Sequence, residues 1–139
     1  MTSKINHIFL TTRGNTDILD ITQQVIECIQ SSSINNGMVT VFSPSSTSGI
    51  TTIEYEPGIL QDLRRTFDEL IPKDKIYQHD EAWHDGNGHS HIRAAWLKAS
   101  LTIPLVDSHL TLGTWQQIVF IDFDIRPRKR EIIVQILGD

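Results

Sequence analysis

Residues 101–137 read LTIPLVDSHLTLGTWQQIVFIDFDIRPRKREIIVQIL, and this stretch decides the fold. Its apolar residues come in runs rich in β-branched side chains, which suit a pleated surface. Leu101–Val106 reads as one strand and Asp107-Ser108 as a turn. The run from Leu110 to Phe123 and the stretch Glu131–Leu137 give two more strands. Short connections predict a meander. Ile118–Ile121 and Ile132–Val134 are apolar at every position, so both faces of these strands need cover. With few helices to supply it, one cover is expected from a second subunit, which predicts a homo-oligomer.

Upstream, Lys4–Leu10 alternates as a strand with His7 on one face. From Thr22, a candidate N-cap, the positions Val25, Ile26 and Ile29 take helical spacing until the Asn35-Asn36-Gly37 turn. A strand Met38–Phe42, a polar loop Pro44–Gly49 and a strand Ile50–Tyr55 follow. Pro57-Gly58 then opens a helix with the seam Leu60, Leu63, Phe67 and Leu70, closed by Pro72. The next segment reads as a loop until Asn87 or Ser90 caps a helix that turns Ile92, Ala95, Trp96 and Ala99 inward. About three helices among six or more strands predict an α+β fold with a mixed or antiparallel sheet. One domain spans residues 1–139, a length near the commonest domain size.

Composition narrows the function. With 39% hydrophobic and 21% charged residues the chain is globular, and its net charge of −5 argues against nucleic acid as a partner. Cys28 is the one cysteine, so an intramolecular disulfide and a multi-cysteine metal site are excluded; its setting is that of a buried apolar residue. No apolar run approaches the roughly 20 residues that cross a bilayer. The first residues carry no signal-peptide pattern, so no membrane partner and a cytoplasmic location are expected.

Chemistry concentrates in His79–His91, HDEAWHDGNGHSH, with four of the six histidines and the carboxylates Asp80, Glu81 and Asp85. Imidazoles and carboxylates bind zinc-like ions and move protons near neutral pH. His89 and His91 point the same way if their segment is extended; in a helix starting at Gly88 they diverge by roughly 200° and cannot share a metal. His79 is a further candidate ligand, His84 reads as exposed, and His7 and His109 read as structural. The Ser45–Gly49 loop offers hydroxyls and backbone N–H groups to an anion, and the forked guanidinium of Arg128 or Arg130 matches phosphate oxygens. Alternatively, Arg126, Arg128 and Arg130 simply answer Asp122, Asp124 and Glu131 across a hairpin. That is the preferred reading of Arg126. Gly113 inside the Leu112–Gln116 stretch suggests a bulge or a close approach by a ligand.

These features together resemble the YjbQ family, often labelled secondary thiamine-phosphate synthase. The likeness rests on Thr51–Gly58 (TTIEYEPG), Asn87–His91 (NGHSH), Ile103-Pro104, Leu112–Gln117 (LGTWQQ), Asp122-Phe-Asp124 and Pro127–Arg130, and covers nearly the whole chain. It implies a compact α+β subunit assembling as a homotrimer, with pockets near subunit boundaries. It also implies a weak activity that couples a pyrimidine diphosphate to a thiazole phosphate with loss of diphosphate. The resemblance places His79, Asn87, His91, Trp115, Gln116 and Arg128 at the site, with Thr47 and Ser48 from the polar loop, and Glu54 where many relatives carry an Asn-Glu pair. Ser46 stands where many relatives have histidine, and Ile125-Arg126 departs from their commoner Asp-Gly-Pro-Arg turn.

Three readings follow. In the first, the chain is a phosphate-handling transferase in which His79, His91 and Glu54 are catalytic and a divalent ion, zinc or magnesium, sits on His79, His89 and His91. Thr47, Ser48, Asn87, Trp115, Gln116 and Arg128 bind the ligand. In the second, the same residues make a non-enzymatic trimer that binds a metal or a phosphorylated metabolite. In the third, histidines and arginines only join subunits.

Overall fold

A computed structural model describes all residues 1–139. The chain runs through β1 (Thr2–Thr12), β2 (Asp17–Asp20), α1 (Thr22–Ser32), β3 (Gly37–Phe42), β4 (Ser48–Ile53) and α2 (Pro57–Leu70). It continues through α3 (Gln78–Trp83), α4 (Gly88–Leu97), β5 (Ser100–Val106), β6 (His109–Leu110), β7 (Gln117–Asp122) and β8 (Arg128–Gly138). The α+β expectation holds, with four helices in place of about three and with every strand pair antiparallel rather than mixed.

The strands form two sheets, one of order β1-β8-β3-β5-β6 and one of order β2-β7-β4. This overturns the predicted meander. The Leu110–Phe123 run breaks at a turn in which Gln116 N–H donates to Gly113 O (3.0 Å) and Gly113 N–H donates to Gln116 Oε1 (2.7 Å). β7 thereby leaves the larger sheet for the centre of the smaller one. β8 then returns between β1 and β3.

The two apolar faces of β7 account for its unbroken hydrophobic run. Ile118 and Phe120 join the main core with α1 and the inner face of the larger sheet. Val119 and Ile121 face the other way, onto Leu60 of α2 and Ala94 of α4. Both covers of β7 come from its own chain, so this run does not require a second subunit. Each such side chain contributes roughly 1.5–3 kcal/mol by leaving water. The outer face of the larger sheet is different: Ile5, Phe9, Met38, Phe42 and Val106 are exposed there.

Helix ends follow local chemistry. In α2, Pro57 supplies the first turn and the Glu56 carboxylate accepts from the N–H groups of Gly58 (2.9 Å) and Ile59 (2.8 Å). The seam closes on buried Ile71, not on Leu70, which is exposed because the chain turns inward one residue later. Thr22 is the first residue of α1 and not its cap; its N–H (3.0 Å) and Oγ1 (2.7 Å) both donate to Asp20 Oδ1. In α4 the inward face is Ser90, Arg93 and Ala94, while Ile92 and Trp96 are exposed. The predicted face is rotated because buried polar residues with partners, not the apolar ones, point inward. No helix is long and apolar enough to cross a membrane.

Candidate functional site

The end of β7, the start of β8 and the loop before β4 meet at a polar cavity of about 440 Å³. Its floor is a pair of aspartate–arginine couples. Asp122, fully buried, takes Arg130 in a fork: Nε to Oδ2 at 2.7 Å and Nη2 to Oδ1 at 2.9 Å. Arg130 also donates through Nη1 to Ser45 Oγ and through Nη2 to Thr47 Oγ1, both 2.8 Å away, which pins the polar loop. Asp122 also accepts from Thr12 Oγ1 (2.6 Å) and from the N–H of Asp124 (3.0 Å).

Asp124 is likewise buried and pairs with Arg128 Nη2 at 3.1 Å, and Thr47 Oγ1 donates to it at 3.1 Å. Burial pushes this carboxyl up. Hydrogen bonds from the Arg126 N–H, Asn87, Thr47 and Arg128 outweigh that and hold it below the ordinary carboxylate range. Arg128 differs from Arg130. Its guanidinium is partly exposed at the cavity, and its buried Nε has no partner at all. An unpaired buried donor is costly, and the rest of the guanidinium is held by Asp124 alone. Arg128 and Arg130 thus answer Asp122 and Asp124, whereas Glu131 pairs with His7 and Arg126, expected to pair across the hairpin, forms no ion pair.

The opposite wall comes from the α3–α4 connection, with Asp85 and Asn87, and from His91 in the first turn of α4; α3, a helix where the sequence predicts loop, stands behind it. Asp80 Oδ1 accepts from Gly88 N–H (2.9 Å) and Asp85 Oδ1 from Asn87 N–H (3.0 Å), so two carboxylates serve amides that the helix start leaves without backbone partners. The Asn87 N–H, aided by His79 and working against burial, which raises it, keeps the Asp85 carboxyl below its usual value. The second oxygen of Asp85 meets His79 Nε2 at 3.2 Å, and the His79 and His91 rings lie 4.5 Å apart between centroids. Asn87, Asp85 and His91 all line the cavity. Asn87 Oδ1 also accepts the N–H of Ile125 (3.2 Å), tying α4 to the arginine hairpin.

Five of the expected residues therefore converge: His79, Asn87, His91, Thr47 and Arg128. Ser48 lies alongside, its hydroxyl buried against Ser43 (2.7 Å). His89 does not join them. The helix begins at Gly88, so His89 turns from His91 into the protein, near Tyr77. Burial, then the Arg93 cation, depresses its pKa, and its Nδ1 has no partner. The expected His79–His89–His91 set is not assembled, and no group of three or more His, Cys, Asp or Glu side chains is arranged to hold a metal ion.

Glu54, Trp115 and Gln116 are also elsewhere. Glu54 is exposed beyond the far end of β4, roughly 20 Å along the strand from Thr47 at about 3.3 Å per residue. Gln116 donates to Thr52 Oγ1 (3.1 Å) and borders a separate cavity of about 400 Å³, with Trp115 exposed beside it. Sequence reasoning missed Arg93, which α4 buries. Its Nε (2.9 Å) and Nη2 (2.8 Å) hold Ile71 O, and Nη1 holds Thr16 Oγ1 (3.1 Å). A basic residue amid an apolar helix pattern was the one available signal.

The model of the UPF0047 YjbQ-like family matches residues 6–139. The chain belongs to this family. It is 38% identical over 128 residues to a UPF0047 protein of Archaeoglobus fulgidus, covering 92% of this chain and 97% of that one. UPF0047 protein YugU of Bacillus subtilis is 33% identical over 88% of this chain and 90% of its own length. Among solved structures, a YbjQ-like protein of Sulfolobus solfataricus superposes with a TM-score of 0.94 at 30% identity, over 99% of both chains. The YjbQ-like fold is thereby shown over essentially the whole chain.

Proposed function

We propose that this YjbQ-like protein handles a phosphorylated small molecule, with the phosphate bound where Ser45–Thr47, Asn87, His91 and Arg128 meet. The observation that carries the reading is the part-exposed guanidinium of Arg128, held by Asp124 through Nη2 alone, beside hydroxyls and an imidazole. A phosphate oxygen satisfies such a donor and gains a charge-assisted hydrogen bond.

The chemistry is that of a weak transferase of the thiamine-phosphate synthase type. The C–O bond to a diphosphate leaving group breaks with its electron pair on oxygen while an acceptor ring nitrogen forms the new bond to carbon. Arg128 stabilises the charge growing on the leaving oxygens, and His91 or the His79–Asp85 pair donates a proton to them. Glu54, Trp115 and Gln116 act on this site only from a neighbouring subunit. A homotrimer would make that possible, and the exposed Ile5, Phe9, Met38 and Phe42 suit such an interface.

The test is calorimetry with inorganic phosphate and diphosphate, followed by turnover of both precursors with added Mg²⁺. Wild type is expected to bind, Arg128→Met to bind at least tenfold more weakly, and His91→Ala to lose turnover. No binding of either anion by wild type removes the reading. A second reading is a non-enzymatic binding protein, in which the His79 and His91 rings, 4.5 Å apart, offer two imidazoles to a divalent ion whose other ligands come from the bound phosphate or a neighbouring subunit. Metal analysis of untagged protein, with binding but no turnover, would select it.

A further inference from the structure

The phosphate cavity does not end at His91. A trough of about 310 Å³ shares Ser45, Ser46 and His91 with it and runs on along α4. Helical geometry sets its direction. His91, Ala94, Ala95 and Lys98 follow one another at i, i+3, i+4 and i+7, so they form one stripe. His91 and Lys98 stand about 10 Å apart along the axis. The middle of the trough is walled by methyl groups, where any longer side chain would fill the space.

Its far end is bordered by Lys98, which also borders the separate cavity beside Gln116. Lys98 makes no ion pair or side-chain hydrogen bond in the protomer. Its backbone sits at φ 85°, ψ 154°, a region that residues other than glycine rarely occupy. The surroundings hold it there: its N–H donates to Ala94 O (3.0 Å) and its carbonyl accepts the Ile50 N–H (3.1 Å). Gly49 lies so close that an added Cβ would stand 2.7 Å from that carbonyl. Glycine would relieve the conformation at no loss to the fold, yet lysine stands there.

We propose that the ligand of the phosphate cavity is a phosphate ester with a short apolar body and a second anionic group, carboxylate or phosphate, at its far end. The phosphate sits at Arg128, the body lies over Ala94 and Ala95, and the second anion meets the Lys98 ammonium. The inference rests on the phosphate reading above and names the class of ligand that reading leaves open. A cavity of this size, apolar in the middle with a few converging polar groups, is the usual form of a small-molecule site.

The experiment is titration calorimetry with inorganic phosphate, a series of n-alkyl phosphates, and ω-carboxyalkyl phosphates and α,ω-bisphosphates of the same lengths. Affinity is expected to rise about fourfold per buried methylene until the chain spans about 10 Å. A terminal anion at that length adds a further two- to fivefold. Ala95→Leu should abolish the chain-length gain and leave inorganic phosphate unchanged. Lys98→Gln should remove only the gain from the terminal anion. Inorganic phosphate binding with no gain from chain or second anion, or gains untouched by both variants, overturns this inference and leaves the phosphate cavity standing. Failure of phosphate itself to bind wild-type protein overturns both.

Discussion

The Asp122–Arg130 fork holds the whole cavity floor, and replacing Asp122 with asparagine tests this directly. Asp122 is fully buried and receives four hydrogen bonds, from Thr12, the Asp124 N–H and two guanidinium nitrogens. Asparagine keeps the shape and one acceptor oxygen but removes the charge that balances a guanidinium whose side chain is only 14% exposed. Removing one partner of a buried pair costs about 3–5 kcal/mol. Asp124, 3.7 Å from Arg130 Nη2, takes up part of the imbalance, which places the cost near the lower figure. With a urea dependence of about 2 kcal/mol per molar, the unfolding midpoint should fall by about 1.5 M. Equilibrium urea unfolding followed by circular dichroism measures this, with Arg130→Met and the double variant completing a cycle. The double variant should be less destabilised than the two single costs combined, with a coupling of about 2 kcal/mol. A midpoint shift under about 0.5 M, or strict additivity, would mean that water and the Ser45 and Thr47 hydroxyls hold Arg130, and the argument for a rigid floor would fall.

Four further outcomes follow from the same structure. Lys98→Gly, by relieving a glycine-type conformation, should raise stability by about 1 kcal/mol, read as a higher melting temperature; a decrease would show that the strain is absent. His89 has a pKa depressed by burial and by Arg93, so its contribution is complete above about pH 6.5 and is lost as pH falls towards its lowered native value. His89→Phe should flatten the stability profile there, and equal slopes in both proteins would contradict this. Asp124 contributes stability that is full above about pH 4 and drains away below it, as pH falls through its lowered native pKa. The acid limb of unfolding should therefore be shallower in Asp124→Asn, and an unchanged limb would count against it. Arg93→Met should cost about 2–4 kcal/mol by orphaning Ile71 O and Thr16. Hydrogen exchange should accelerate first near residues 68–72, and uniform acceleration across the chain would argue against a local clamp.

How much was legible depended on whether the signal was local. Pro57 and the leucine seam showed α2, because one helix turn and one apolar stripe need no knowledge of the rest. The alternating and β-branched runs located β1, β5 and β8 for the same reason. The short helix α3 carries no apolar seam, and all six of its residues lack full burial, so its pattern resembles a polar loop. The rotation of α4 was hidden too. Ile92 and Trp96 look like core residues, but Ser90 and Arg93 find partners inside that only the folded chain supplies.

The candidate site divides in the same way. Residue types alone marked His79–His91, the hydroxyl loop and the arginine hairpin, because imidazole, hydroxyl and guanidinium chemistry belongs to the side chain wherever it lies. Separating His89 from His91 took the helix phase at Gly88, and separating Glu54, Trp115 and Gln116 from the cavity took the course of β4 and β7. An apolar strand announces that both its faces are covered, but not by what, since hydrophobic burial is non-directional. The sequence therefore determined most of the elements, though not α3 or the short strand β2, together with the fold class and the chemical repertoire. Tertiary structure alone decided which sheet each strand joined, and so which of those groups met around one cavity, because strand partners and buried charge pairs are chosen by long-range packing.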